Sequence, residues 1–174
     1  MAKKKSFWSS EKIMSTSAVV ISILTLAVFI YQTNLIRKEQ HTAVFPYLEL
    51  GHSGIQTDFY RFTLENKGIG PAIITDVKLH YEKKEVEERL AVFISKKRDS
   101  VKYAFNYDDI YINRFITAGE EITLISPDTL SKKASSFFEK ILLDENLDLE
   151  ITYESIYGDS WKISKLSTGA QRLD

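Results

Sequence analysis

The stretch Met14–Ile36, MSTSAVVISILTLAVFIYQTNLI, contains no charged residue, and its middle is almost wholly aliphatic. Such a run predicts one helix. At a rise of ~1.5 Å per residue it extends about 34 Å, enough to cross a hydrocarbon core of about 30 Å with some tilt. The expectation is a transmembrane helix at 14–36, so the first partner of this chain is the membrane lipid bilayer. A basic tail at 1–13 precedes it, a polar stalk at 37–45 follows, and 46–174 is expected to form one soluble domain. Trp8 and Tyr31 fall where interfacial aromatics are found.

Working outward, the N-terminal lysines Lys3, Lys4, Lys5 and Lys12 also suit a signal peptide. The apolar run is too long for that, and it ends in Tyr31-Gln32-Thr33-Asn34 rather than a small-x-small cleavage site. An uncleaved anchor is expected. Four lysines before the helix against Arg37 and Lys38 after it place the N-terminus inside and the domain outside, by a margin that a short translocated tail could reverse.

The chain carries 23 Lys+Arg against 24 Asp+Glu, a formal net charge of -1, so any basic site must be local. It has no cysteine, which excludes disulfides and thiolate metal sites and is compatible with either side of a membrane. After Pro46, period-2 alternation predicts strands at Tyr47–Gly51 and Phe59–Leu64, with Tyr60, Phe62 and Leu64 on one face and Phe59 and Arg61 on the other. Asn66-Lys67-Gly68-Ile69-Gly70-Pro71 reads as a turn between strands, its glycines supplying positive φ. Ile73–Tyr81 alternates next, with Ile73, Thr75, Val77, Leu79 and Tyr81 sharing a face.

Glu85–Lys97 reads as a helix, although Leu90–Ile94 is also a short apolar run. Val101–Tyr107 and Ile110–Ile116 are expected as strands around an Asp108-Asp109 turn, and Glu121–Ile125 as another. Asp128 is the expected N-cap of a helix carrying Leu130, Ala134, Phe137, Phe138, Ile141 and Leu142 at helical spacing. Leu147–Tyr157 and Trp161–Leu166 should form a hairpin across Gly158-Asp159. The sum is a mainly-β soluble domain behind a single N-terminal transmembrane helix: an antiparallel β-sandwich or small barrel with one or two inserted helices.

The run Leu64-Glu65-Asn66-Lys67-Gly68-Ile69-Gly70-Pro71-Ala72 resembles the N-x-G-x-G-P-A corner of bacterial proteins that join one N-terminal helix to an immunoglobulin-like β-sandwich, and Tyr153–Trp161 is similar to their last hairpin. That resemblance implies fold, not activity. In layout, the chain is similar to membrane effectors of bacterial anti-phage systems, including the Hailong type. This second resemblance implies a homo-oligomer in the inner (plasma) membrane, forming a pore or ion channel from one helix per subunit and gated by a nucleotide or oligonucleotide signal.

Candidate residues follow from both readings. At 100° per residue, Ser15, Ser22, Thr25, Gln32 and Thr33 fall within an arc of about 100° with Phe29 among them, a face suited to helix packing or to a lumen with an apolar constriction. The competing explanation is that Ser and Thr simply bond the preceding turn. Lys96, Lys97, Arg98 and Lys102 form the densest positive cluster outside the N-terminus and could bind phosphate, with Tyr103, Phe105 and Tyr107 nearby for stacking, unless those aromatics belong to the core. His41, His52 and His80 have no metal-ligand spacing, and Asp108-Asp109 and Asp144-Glu145 sit beside turn signals where carboxylates cap. With no G-x-S-x-G, P-loop or H-E-x-x-H, neither an enzyme nor a cofactor is expected. The alternative function is a non-enzymatic adaptor whose extracytoplasmic domain binds a protein or envelope partner; an anchored accessory subunit is a third.

Overall fold

A computed structural model of the chain describes residues 10–97 and 103–173. It divides into two units, 1–42 and 43–174. The first is α1 (Ser10–Ala43), one continuous helix of 34 residues. Its segment Ser10–Gln40 is long and apolar enough to cross a membrane. The hydroxyls of Ser22, Thr25 and Thr33 donate to the carbonyls of Ala18, Ile21 and Phe29, each at 2.8 Å, so these polar groups are satisfied within the helix.

The second unit is built from β1 (Leu48–Ser53), β2 (Arg61–Asn66), β3 (Ala72–Tyr81), β4 (Lys84–Val86), α2 (Leu90–Lys97), β5 (Phe105–Asn106), β6 (Phe115–Ile116), β7 (Glu121–Pro127), α3 (Lys132–Leu142), β8 (Leu147–Glu154), β9 (Ser160–Ser164) and β10 (Gln171–Leu173). The strands form two antiparallel sheets, β1-β2-β7-β5 and β10-β9-β8-β3-β4, with β6 also on β3; neither closes into a barrel. Of the two architectures expected, this is the sandwich. Tyr60 just before β2, Phe62 and Leu64 from one sheet, and Ile74, Ile151 and Tyr153 from the other are all fully buried in a single core. Phe59 and Arg61 are exposed, as their alternation predicts.

Four local expectations are corrected. In β3 the pairing to β8 shifts between Ile74 and Asp76, a bulge at Thr75. One extra residue reverses the pleat, so Ala72 and Ile74 are buried before it and Leu79 after it; Ile73 does not share the face of Val77 and Leu79. The helix expected from Glu85 begins only at Leu90, because Glu82 and Lys83, with φ of 52° and 64°, turn the chain back and Lys84–Val86 pairs with β3. The segments around Asp108-Asp109 do not pair with each other: β5 joins β7 and β6 joins β3. Finally, Ser131 rather than Asp128 caps α3, its hydroxyl accepting the Ala134 N–H at 3.5 Å, and Leu130 lies outside the helix, exposed. The closing hairpin forms as expected, with Glu154 opposite Ser160 and Gly158 at φ +83°.

The corner at 66–71 connects the two sheets, and its glycines serve close approach rather than positive φ. A Cβ on Gly68 would run into Phe45 O and Tyr47 N, and one on Gly70 into the carbonyl of Val44. Asn66, fully buried, fills its whole hydrogen-bonding capacity. Its Nδ2 donates to Gly70 O at 2.8 Å and Ile116 O at 3.1 Å, while Oδ1 accepts from Gly68 N at 3.0 Å and Tyr47 N at 3.2 Å. Ile69 N also donates to Phe45 O at 3.0 Å, and Lys67 N to Tyr47 O at 2.8 Å. The corner is thus a clasp on the chain segment 44–47.

Candidate functional site

Two of the concavities on the domain adjoin α2. The smaller, of about 290 Å³, sits between the C-terminal end of α2 and α3 and includes Tyr81, Phe93, Lys97, Phe137, Lys140 and Asp144. α2 reaches it because Ala91, Phe93 and Ile94 bury one face, leaving Lys96 and Lys97 in the last turn, where cations suit the helix dipole. Lys97 Nζ stands 4.1 Å from the centroid of the Tyr81 ring, and the Tyr81 and Phe93 rings meet at a tilt, 5.1 Å apart. Lys97 over the Tyr81 and Phe93 rings, with Lys140 also lining the hollow, suits a small anion bearing a planar group.

Of the expected basic cluster, Lys97 lines this hollow, and Lys96, though exposed, pairs with Glu88. Arg98 and Lys102 lie outside the described residues. Lys140, which the sequence reading missed, joins Lys97 from another element; its position in the last turn of α3 was the only signal. Tyr103 meets Phe137 at 5.8 Å and Phe105 meets Phe138 at 5.5 Å, each with tilted rings and both against the core, whereas Tyr107 is exposed. The competing core explanation therefore holds for two of the three aromatics.

The larger groove, of about 510 Å³, lies beside β3 and β4. Val77, Leu79, Val86, Leu90, Leu124 and Leu149 give it an apolar lining. Around them stand Glu85, Glu87, Glu88, Asp108 and Asp109, against Lys78 and Arg89. Arg114 grips Asp108 bidentately at 2.9 and 3.0 Å, which holds that carboxyl below the usual carboxylate range, and Arg89 meets Asp109 at 2.9 Å. The Asp108-Asp109 pair is a latched loop. Asp144 does cap a turn, accepting Asn146 N at 2.9 Å, and that bond lowers its pKa.

His52 Nδ1 is 2.6 Å from Tyr60 Oη and its ring stacks on Phe62 at 4.7 Å; burial first, then Lys165, lowers its pKa. Lys165 donates to Leu142 O at 3.1 Å and Asp144 O at 2.6 Å, closing the C-terminal end of α3. No three His, Asp or Glu side chains among the described residues are grouped to hold a metal. On α1, a shallow groove brings Ile21, Leu24 and Val28 beside Thr25, Phe29 and Gln32, so the polar arc grades directly into apolar surface. No family model matches the chain, and no curated protein matches it in sequence.

Proposed function

We propose that this protein is a non-enzymatic, homo-oligomeric effector of bacterial anti-phage defence in the inner membrane, in which α1 builds a pore and the β-sandwich binds a nucleotide or oligonucleotide signal at the Lys97–Lys140 hollow. The observation that carries the reading is the clasp at Asn66–Gly70. It fixes residues 44–47, immediately after α1, to the domain. A change in the domain on binding a signal would therefore act on residues 44–47, which follow α1 in sequence. Within α1, the face of Ser15, Ser22, Thr25, Phe29, Gln32 and Thr33 is the proposed packing or pore face.

Signal binding is tested with the full chain in zwitterionic nanodiscs and a fluorescein-labelled tri-deoxyadenylate probe. Lys97→Glu combined with Lys140→Glu should abolish binding while circular dichroism is unchanged; unchanged binding would remove the hollow from the reading. Reporter fusions after Asp174 test the side of the membrane, and an internal C-terminus is expected. The lysine asymmetry around the helix favours the second reading, an adaptor whose domain stands outside and binds a protein or envelope partner. An external C-terminus would leave that reading in place of the effector.

A further inference from the structure

The groove beside β3 contains an interruption in the six-stranded sheet. The two-residue turn at Glu82-Lys83 sets Leu79 opposite Val86, so β3 turns the backbone groups of Leu79 toward β4. Two residues earlier, Val77 faces the same edge. After Val86, however, the chain leaves the edge, and Glu88 turns to pair with Lys96. Beyond the bulge, Ile74 is covered again: its N–H donates to Arg114 O at 3.0 Å and its carbonyl accepts from Asn113 N at 2.7 Å. Val77, paired with Ile151 of β8 on its inner side, is left between two covered stretches with no strand on its outer side. Its N–H is met instead by the carboxylate of Asp76, at 2.9 Å.

A bulge and a charge at an unpaired edge are devices by which sheets discourage indiscriminate pairing. Here they border a groove rather than open solvent. The uncovered stretch Thr75–Lys78 spans about 10 Å at ~3.3 Å per residue, room for about three residues of a guest strand. The lining supplies apolar contacts through Val77, Val86 and Leu90; of its five carboxylates Asp108, Asp109 and Glu88 are held by Arg114, Arg89 and Lys96, which leaves Glu85 and Glu87 to complement cations. Among the described residues Glu85 and Glu87 have no ion-pair partner, so both can receive a cation.

We propose that this gap is a β-augmentation site: a partner protein's extended segment, alternating basic and apolar residues, adds to β3 at Val77, displaces Asp76 from the Val77 N–H, and places its cations against Glu85 and Glu87. Main-chain pairing supplies affinity and the acidic rim selects sequence. The site is separate from the Lys97–Lys140 hollow and does not depend on the nature of the signal bound there.

The test uses the full chain in zwitterionic nanodiscs and the fluorescein-labelled peptide Lys-Val-Lys-Val-Lys, with empty nanodiscs as the reference. Saturable binding to the protein-loaded discs alone is expected. A peptide with the same side chains and an N-methylated central backbone should bind more weakly, by roughly 3- to 10-fold for each hydrogen bond lost. Glu85→Lys with Glu87→Lys, both on exposed positions, should weaken the unmethylated peptide while leaving the melting temperature in place. Equal binding of the two peptides, equal binding to empty discs, or binding unaffected by the charge reversal would each overturn the proposal.

Discussion

The Asn66–Gly70 corner and the β3 edge at Val77 both present backbone groups that have no strand opposite them, and the protein treats them in opposite ways. At the corner, the Asn66 amide and the Phe45 and Tyr47 carbonyls satisfy the backbone, and even one methyl group on Gly70 would meet the carbonyl of Val44. At the edge, a single carboxylate covers one N–H and the space alongside amounts to about 510 Å³. The first arrangement is sealed and the second is open. The difference separates what holds the domain together from what is free to meet a ligand.

The corner can be broken most severely by Gly70→Ala. Its Cβ would press on backbone, which cannot rotate away as a side chain could, so a loss of more than about 3 kcal/mol is expected. Asn66→Ala comes next, at about 2–4 kcal/mol, since it strands the N–H groups of Tyr47 and Gly68 and the carbonyls of Gly70 and Ile116 in a buried setting. Denaturant titration followed through Trp161, which is buried, measures both. A cost below about 1 kcal/mol for either variant would show that the segment 44–47 is not held by the corner.

An alkaline titration sharpens the same side of the comparison. The phenol of Tyr153 receives the Leu48 N–H at 3.3 Å at the start of β1, and burial pushes its pKa up to about 12. In the unfolded chain the group ionises near pH 10, so the folded state binds the proton more tightly; the stability it contributes is complete below that pH and is lost as pH rises toward 12. Burial raises the pKa of Tyr60 as well, in the same sense. Denaturant midpoints should therefore fall between pH 10 and 12, and Tyr153→Phe should flatten part of that decline. An identical pH profile in the variant would remove Tyr153 as a cause.

These contrasts also mark what could be read from the sequence. The apolar run of α1, the alternation of Tyr60, Phe62 and Leu64, and the Gly158 hairpin depend on local periodicity or on one residue's backbone preference, and each was legible. The corner was legible as a turn but not as a clasp, because the reason for Gly68 and Gly70 lies in residues 44–47, distant in sequence. β4 escaped notice since its turn uses Glu82 and Lys83 at positive φ, where asparagine or glycine would have announced it. The bulge at Thr75 left no compositional trace, and without it the alternation of Ile73–Tyr81 reads as uninterrupted. Both concavities were hidden for one reason: Lys97 and Lys140, like Glu85 and Asp108, are separated along the chain and adjacent only through the packing of α2, α3 and the edge of β3.

The smallest expected effect lies on the open side. Asp76→Ala removes the one group that covers the Val77 N–H, together with an exposed pairing to Lys78 at 3.4 Å. The N–H left behind is reachable by water from the groove, so it does not carry the penalty of a buried orphan donor, and the exposed ion pair contributes little. A loss of less than about 1 kcal/mol follows, well below that of Asn66→Ala, although each substitution deletes a side chain that bonds backbone. Side-by-side denaturant titrations of the two variants decide it. Should Asp76→Ala cost as much as Asn66→Ala, the Val77 edge would have to be sealed in the folded protein, and the distinction between a closed corner and an accessible strand edge would fail.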